Sequence, residues 1–193
     1  MQKTRKNKHR CSWVGSEQVY IDYHDNEWGV PVHDDRTMLE FLTLESAQAG
    51  LSWITILRRR EGYKRVFHNF DVQKVAAMSE KEIQKALQDE GIIRNKLKVR
   101  AAVTNAEVFL QIQREFGSFC DYIWNFVGGK PLQNSWKDTT QVPATSVESD
   151  ALSKDLKKRG MSFVGSTIMY AHMQATGLIN DHVLSCFRYN EVK

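Results

Sequence analysis

Two short segments at opposite ends of this chain carry paired cysteine and histidine residues. Cys11 and His24 lie near the start, and His182 and Cys186 lie near the end. His182 and Cys186 are four residues apart, so a helix would project both side chains from one face. Two thiolates and two imidazoles form a closed tetrahedral zinc set, which is typically structural because no coordination position is left for water. The alternative is a set of ordinary core residues, because the two pairs lie far apart rather than in a compact CxxC unit.

The composition is that of a packed domain. The chain has 193 residues, of which 41% are hydrophobic, which fits one domain or two small lobes sharing a core. No stretch approaches the ~18 apolar residues of a membrane span, so we expect no membrane partner. The absence of a signal-peptide pattern and the odd cysteine count predict a reducing, cytoplasmic setting. We expect a monomer.

Positive charge is concentrated in the first residues. The net charge is +4, but residues 1–10 carry five lysines and arginines and no acid, so the remainder is close to neutral. We predict that residues 1–9 form a basic, disordered tail. Such a tail could attract phosphates without sequence preference, or it could simply be a solvated terminus.

Capping residues and glycine stops predict an all-α fold. Ser79 and Glu82 have the spacing of a capping box, and Asn95 can open a long helix that stops at Gly117. Residues 130–148, with two prolines, read as a loop. Asn180 or Asp181 is expected to cap a final helix that carries His182 and Cys186. The other predicted helices span about 36–50, 72–78, 79–89, 95–115, 119–127, 149–159 and 166–176.

One helix–turn–helix segment could contact DNA. Residues 80–110 read as helix, then Gly91-Ile92-Ile93-Arg94, then helix. A glycine-containing turn between two helices can direct backbone N–H groups at a phosphate, as in helix-hairpin-helix elements. The usual element has a second glycine where this chain has Ile93, so an ordinary turn between antiparallel helices is the alternative.

Glu45 lies on the apolar face of its predicted helix. Met38, Phe41 and Leu42 precede it by seven, four and three residues, so all four share one side. A carboxylate there is costly unless it is paired or used. It could belong to an ion pair or to a solvated edge. Aromatic residues crowd the neighbouring motifs, however, and rings around an acid suit a flat, cationic ligand.

Six motifs together resemble one family. They are residues 10–14 (RCSWV), 23–31 (YHDNEWGVP), 44–55 (LESAQAGLSWIT), 91–95 (GIIRN), 163–167 (FVGST) and 180–182 (NDH). In this order they resemble the bacterial type I 3-methyladenine DNA glycosylases, which are helix-hairpin-helix glycosylases. The match runs from Arg10 to Arg188, so residues 10–193 would form the glycosylase domain.

The resemblance implies a fold and a set of sites. The fold would be two helical lobes with a base pocket between them and one structural Zn²⁺ joining the chain ends. The implied zinc ligands are Cys11, His24, His182 and Cys186. The implied pocket consists of the acid Glu45 and the aromatic residues Tyr23 and Trp53, with Tyr20, Trp13 and Trp28 as further members. DNA contacts would come from the hairpin residues Gly91, Ile93 and Arg94, and from Gly50 and Leu51 as a wedge that fills the gap left by a flipped base.

The implied activity is base excision repair. The enzyme would bind alkylated double-stranded DNA, flip out 3-methyladenine and hydrolyse its glycosidic bond without cutting the strand, releasing the free base. Glu45 would be the catalytic residue. Most helix-hairpin-helix glycosylases have a catalytic aspartate after the hairpin, but the type I family lacks it. This chain likewise has no obvious aspartate candidate in the helix after its predicted hairpin. Two alternatives are a damage-binding module without turnover and a zinc-stapled protein that binds nucleic acid through its basic tail.

Overall fold

The all-α fold class is confirmed. The computed structural model describes residues 8–192, and within them the chain folds into ten α-helices and two strands of two residues each. The helices are α1 (Gln18–Asn26), α2 (Asp35–Gln48), α3 (Trp53–Leu57), α4 (Arg60–Val66), α5 (Val72–Ala76), α6 (Glu80–Ala86), α7 (Lys96–Phe116), α8 (Phe119–Trp124), α9 (Val147–Lys158) and α10 (Ser166–Ala175). The strands β1 (Leu132–Gln133) and β2 (Ile179–Asn180) pair in parallel, with Leu132 opposite Ile179.

Side-chain caps fix most of the helix starts. Asp34 accepts a hydrogen bond from the backbone N–H of Thr37 at 2.8 Å, and Ser79 and Glu82 form the predicted capping box. Asn95 accepts from the N–H groups of Leu97 and Lys98, which opens α7 where the sequence predicted. Each cap satisfies N–H groups that have no partner inside the helix.

Helix α2 lies at the centre of the molecule. Every residue from 38 to 47 is buried, so this helix is surrounded on all sides. Helix α7 packs across α2, α5 and α8, and α10 packs on α2 and α9. Most of these side chains form one large hydrophobic cluster. A smaller cluster includes Cys11, Tyr23, Trp28, Phe41 and Cys186, and Trp53 packs against both.

The prediction of a final helix is wrong. No helix is found between residues 181 and 192; this segment is a series of turns. The N–H of Leu184 donates to the carbonyl oxygen of Trp136 at 2.8 Å, and the N–H of Phe187 donates to that of His9 at 3.0 Å. Because distant carbonyls take these donors, the i to i−4 ladder of a helix cannot form.

Only the end of the predicted basic tail is described. Residues 1–7 lie outside the described residues. The ammonium group of Lys8 lies 3.3 Å from Glu191 Oε1, and the carbonyl of His9 accepts from Phe187. The chain therefore contacts the C-terminal segment from residue 8 onward.

Candidate active site and metal centre

A cavity of about 420 Å³ opens beside α1, α2 and α10. All six residues predicted for a base pocket line it, namely Trp13, Tyr20, Tyr23, Trp28, Glu45 and Trp53. The other lining residues are Gln48, Thr139, Val142, Pro143, Ala144, Thr167, Tyr170, Ala171, Gln174 and Asp181. The volume lies within the range of ~300–1,000 Å³ that is usual for small-molecule sites.

Aromatic rings form one part of the cavity wall. The ring centroids of Tyr23, on α1, and Trp53, at the start of α3, are 5.4 Å apart. Trp13 lies between Tyr20 and Trp28, with centroid distances of 5.1 and 4.9 Å. Such surfaces favour a planar ligand, and they attract a cation through their negative faces.

Glu45 is buried in the cavity wall. Its side chain is on the face of α2 that the sequence predicted, and the residue is only 3% exposed. Its carboxyl group makes no hydrogen bond or ion pair with any residue between 8 and 192. Burial raises its pKa from 4.5 to about 8. The site thus contains an acid whose hydrogen-bonding capacity is left for a ligand.

The pKa of Tyr23 is changed by the same buried environment. Its side chain is almost fully buried, and burial, followed by the nearby carboxyl group of Glu45, raises its pKa well above the usual value. The phenol therefore stays protonated and can donate a hydrogen bond to a ligand in the cavity.

Asp181, which the sequence predicted only as a possible helix cap, is a second acid that lines the cavity. Its oxygens accept four hydrogen bonds of 2.6–2.7 Å, from Asn134, Trp136, Tyr170 and Gln174. Three of these groups can only donate, so the four hydrogen bonds fix the orientation of the carboxyl group. It ties the loop after β1 to α10, which forms another part of the wall. The motif at residues 180–182 contained the signal for it.

A cysteine and histidine cluster lies next to this cavity. The ligand atoms of Cys11, His24, His182 and Cys186 all lie within 4.8 Å of one another, and all four residues are buried. Cys186 Sγ is 3.4 Å from His24 Nε2 and 3.5 Å from His182 Nδ1, and Cys11 Sγ is 3.6 Å from His182 Nδ1. This group could hold a metal ion.

The surroundings orient both imidazoles for ligation. His24 Nδ1 lies 2.9 Å from the Asp25 carboxylate, and His182 Nε2 lies 3.1 Å from the carbonyl oxygen of Trp28. Since these oxygens can only accept, each of these nitrogens carries the proton and the opposite one is free for a metal. Arg10 donates two hydrogen bonds to Asp25; burial alone would raise the pKa of Asp25, but the bonds from Arg10 and His24 lower it.

Known proteins share both the sequence and this architecture. The profile of a family described as methyladenine glycosylase matches residues 13–189. The DNA-3-methyladenine glycosylase 1 of Escherichia coli (strain K12) is 49% identical over 180 residues, which cover 93% of this chain and 96% of that protein. The chain belongs to the methyladenine glycosylase family. The resemblance inferred from the motifs is thereby confirmed.

Solved structures of methyladenine glycosylases have the same fold. A crystal structure of 3-methyladenine DNA glycosylase I matches with a TM-score of 0.90 at 48% identity and covers 93% of this chain and 98% of that one. The glycosylase I of Staphylococcus aureus, in a structure described as the basis of its 3-methyladenine recognition, matches with a TM-score of 0.90 at 34% identity. That match covers 92% of this chain and 95% of the other.

A turn joins α6 and α7 where the DNA-binding hairpin was predicted, and three of its four backbone N–H groups already have partners within the protein. The Ile92 N–H donates to the carbonyl oxygen of Asp89 at 3.4 Å. The Gly91 N–H donates to Asp89 Oδ1 at 2.7 Å, and the Ile93 N–H donates to the Tyr63 hydroxyl at 3.2 Å. The turn packs tightly on α4, where a Cβ on Gly62 would lie 2.1 Å from the Gly91 carbonyl oxygen. Arg94 is exposed, and its backbone N–H has no hydrogen-bond partner within residues 8–192. Gly91, Ile93 and Arg94 as DNA contacts stay a prediction.

The predicted wedge lies in the turn between α2 and α3. Gly50 has a φ of +78°, which reverses the chain, and Leu51 is an exposed apolar residue at 38%. An exposed leucine beside the cavity is compatible with insertion into DNA, which likewise stays a prediction.

Within residues 8–192, none of the helices combines the length and the hydropathy that a membrane span requires.

Proposed function

We propose that this protein is a DNA-3-methyladenine glycosylase that hydrolyses the glycosidic bond of 3-methyladenine in alkylated double-stranded DNA. The observation that carries the proposal is the carboxyl group of Glu45, which is buried among the aromatic rings of the cavity and has no partner within residues 8–192. The names of the relatives support the same substrate, since the Escherichia coli and Staphylococcus aureus proteins are 3-methyladenine glycosylases.

The chemistry of the substrate explains what the site must do. Adenine alkylated at N3 in DNA is a cation, so its bond from N9 to C1′ is already weakened. When that bond breaks, its electron pair moves to the base, which leaves neutral, and the oxygen of water bonds to C1′ with loss of a proton. The enzyme therefore needs little acid catalysis. It must extrude the nucleotide, hold the cationic base and admit water.

Glu45 acts as the negative group that offsets the positive charge of the alkylated base. With a pKa near 8, the carboxyl group is mostly protonated in the free protein at neutral pH. Entry of a cationic base lowers this pKa, so the group loses its proton and accepts hydrogen bonds from the exocyclic amine. Charge-assisted bonds of this kind contribute roughly 1.5–3 kcal/mol each.

Selection against normal adenine follows from the same site. A neutral adenine cannot compensate a buried carboxylate, and it loses most of the cation–π attraction to the rings, about 0.5–2 kcal/mol per ring. In this proposal Tyr23 donates a hydrogen bond to the base, and Trp53 stacks on one face of it. Damaged bases also pair poorly, so flipping them out costs less of the few kcal/mol required.

Outside the cavity, we assign DNA contacts and zinc. In the hairpin, Arg94 donates to backbone phosphates, while Gly91 and Ile93, whose N–H groups bond within the protein, lie against the DNA backbone. Leu51, after Gly50, fills the space of the flipped base. Zn²⁺ fits the cysteine and histidine cluster, because tetrahedral bonds of about 2.0–2.3 Å separate sulfur from nitrogen by about 3.5 Å. The S···N distances of 3.4–3.6 Å support this assignment. Zinc would supply a structural link, since four protein ligands leave no position for water.

Base release from methylated DNA tests the proposed function. Purified protein is incubated with methylated duplex DNA, and the free bases are identified. We expect 3-methyladenine to be released while 7-methylguanine stays in place. Binding to methylated DNA without release in single-turnover conditions would favour the damage-binding module. Deletion of residues 1–9 should preserve release with a weaker salt dependence, whereas loss of all binding would favour the tail-based alternative.

A further inference from the structure

Lys98 reaches from the hairpin helix to the end of the pocket helix. It lies in the first turn of α7, next to the hairpin, and is half-buried. Its Nζ donates to the carbonyl oxygen of Ala47 at 2.8 Å and to that of Ala49 at 2.6 Å. A helix leaves its last carbonyls without backbone partners, and a positive charge at this end also complements the helix dipole.

The two carbonyls belong to the segment that ends in the predicted wedge. Ala47 is two residues after Glu45, and Ala49 precedes Gly50 and Leu51. The segment's own bonds are local: the Leu51 N–H donates to the Gln48 carbonyl, and the Gln48 amide donates to the Leu51 carbonyl. Within the described part of the chain, Lys98 is the only side chain from another helix that bonds to residues 47–51.

Lys98 also lies next to the hairpin turn. Its side chain lines a small cavity together with Tyr63 and Ile93, and the Tyr63 hydroxyl accepts from the Ile93 N–H. A lysine beside a DNA-binding turn would ordinarily be available to phosphates. Here two carbonyl groups of the protein hold its ammonium group, whereas the nearby Lys96 is exposed and makes no hydrogen bond or ion pair with residues 8–192.

We propose that Lys98 is a positioning residue that locks the wedge turn, residues 47–51, onto the hairpin helix. When the hairpin engages the DNA backbone, this link sets the position at which Leu51 enters the base stack. The inference rests on the proposed function, and it adds a residue that acts on flipping through the backbone of the wedge turn rather than by touching the base or DNA.

Hydrogen exchange tests the lock without DNA. Lys98→Met keeps the length of the side chain and removes its donors, and Lys96→Met removes the same charge from an unbonded neighbour. We expect the amide proton of Leu51, which is hydrogen-bonded to the Gln48 carbonyl oxygen, to exchange about tenfold faster in Lys98→Met, as follows from a loss of ~1.4 kcal/mol, and at the wild-type rate in Lys96→Met. Unchanged exchange in Lys98→Met would overturn the proposal.

Single-turnover excision tests the coupling to the wedge. At saturating enzyme, Lys98→Met should release 3-methyladenine from duplex DNA about tenfold more slowly, while its affinity for the free base stays that of the wild type. Lys96→Met should weaken DNA binding and leave the saturated rate unchanged, and Lys98→Arg should restore most of the rate. In a Leu51→Ala background, Lys98→Met should have no further effect, because the lock acts through Leu51.

The outcomes separate the two proposals. Additive losses in the double variant, or a matching loss of free-base affinity in Lys98→Met, would show that Lys98 does not act through the wedge and would overturn the inference. If the wild type itself released no 3-methyladenine, the proposed function would fail, while the exchange experiment would still decide whether Lys98 holds the turn.

Discussion

Replacing Glu45 by glutamine should make the protein more stable and a poorer glycosylase. Glutamine has nearly the shape of the carboxyl group but cannot ionise. The wild-type carboxyl group is buried in the cavity wall without a partner in residues 8–192, and burial raises its pKa from 4.5 to about 8. The Glu45→Gln variant removes the free-energy cost of burying a group that ionises readily in the unfolded chain.

The size of the effect depends on pH. A group whose folded pKa is raised contributes stability that is present below the unfolded value and lost as pH rises through the folded value. The value of pH 7 is about 2.5 units above the carboxyl pKa of 4.5 in the unfolded chain, but the carboxyl group is still mostly protonated in the folded protein. Each unit corresponds to about 1.4 kcal/mol, so Glu45→Gln should stabilise the fold by up to about 3 kcal/mol at this pH. The gain should vanish near pH 4.5 and level off above pH 8.

Urea denaturation at several pH values measures this difference. We expect the free energy of unfolding of Glu45→Gln to exceed that of the wild type by an amount that grows between pH 4.5 and 8. Glu107→Gln is the matched control, because Glu107 is exposed on α7 and makes no hydrogen bond or ion pair with residues 8–192. Its difference from the wild type should be small throughout.

The same variant should bind free 3-methyladenine more weakly and excise it more slowly. Loss of one charge-assisted hydrogen bond, roughly 1.5–3 kcal/mol, corresponds to at least about a tenfold weaker affinity. A more stable protein with weaker binding cannot be explained by misfolding. A stability difference that does not change with pH, or an unchanged affinity for the base, would refute the reasoning about Glu45.

Three further predictions concern other buried groups. Cys186→Ser should lose bound zinc and at least about 3 kcal/mol of stability, whereas Cys120→Ser, at a buried thiol outside the cluster, should keep its metal; metal analysis and melting curves check both. His172→Leu should stabilise the fold by about 1–3 kcal/mol at pH 7, because both ring nitrogens are buried and have no hydrogen-bond partner within residues 8–192. Burial lowers the pKa of His172 to about 4, so the wild type should lose stability as pH falls below 6.5 and the variant should lose less, as acid denaturation will show. Asp181→Asn should cost about 3 kcal/mol, since it leaves donors of Trp136 or Gln174 unpaired; an unchanged urea midpoint would contradict this.

Interactions between residues a few positions apart could be predicted from the sequence. The caps at Ser79 and Asn95 appear as predicted, because a cap involves only N–H groups two or three residues away. The position of Glu45 on the apolar face of α2 followed from the helical period alone. The family motifs, read together, also indicated the fold and the pocket residues.

Contacts between distant residues were decided by the tertiary structure. The turns at residues 181–192 replace the predicted helix because Trp136 and His9 capture its N–H groups. Asp181 joins the cavity wall, and Lys98 reaches the end of α2, through partners far away in the chain. A donor can be satisfied equally well by a near or a distant acceptor, and no local pattern records which one packing brings within reach. The local sequence therefore determined where helices with side-chain caps, such as α6 and α7, begin, and which residue types carry the chemistry. Apart from what the family motifs indicated, only packing determined which of these residues meet.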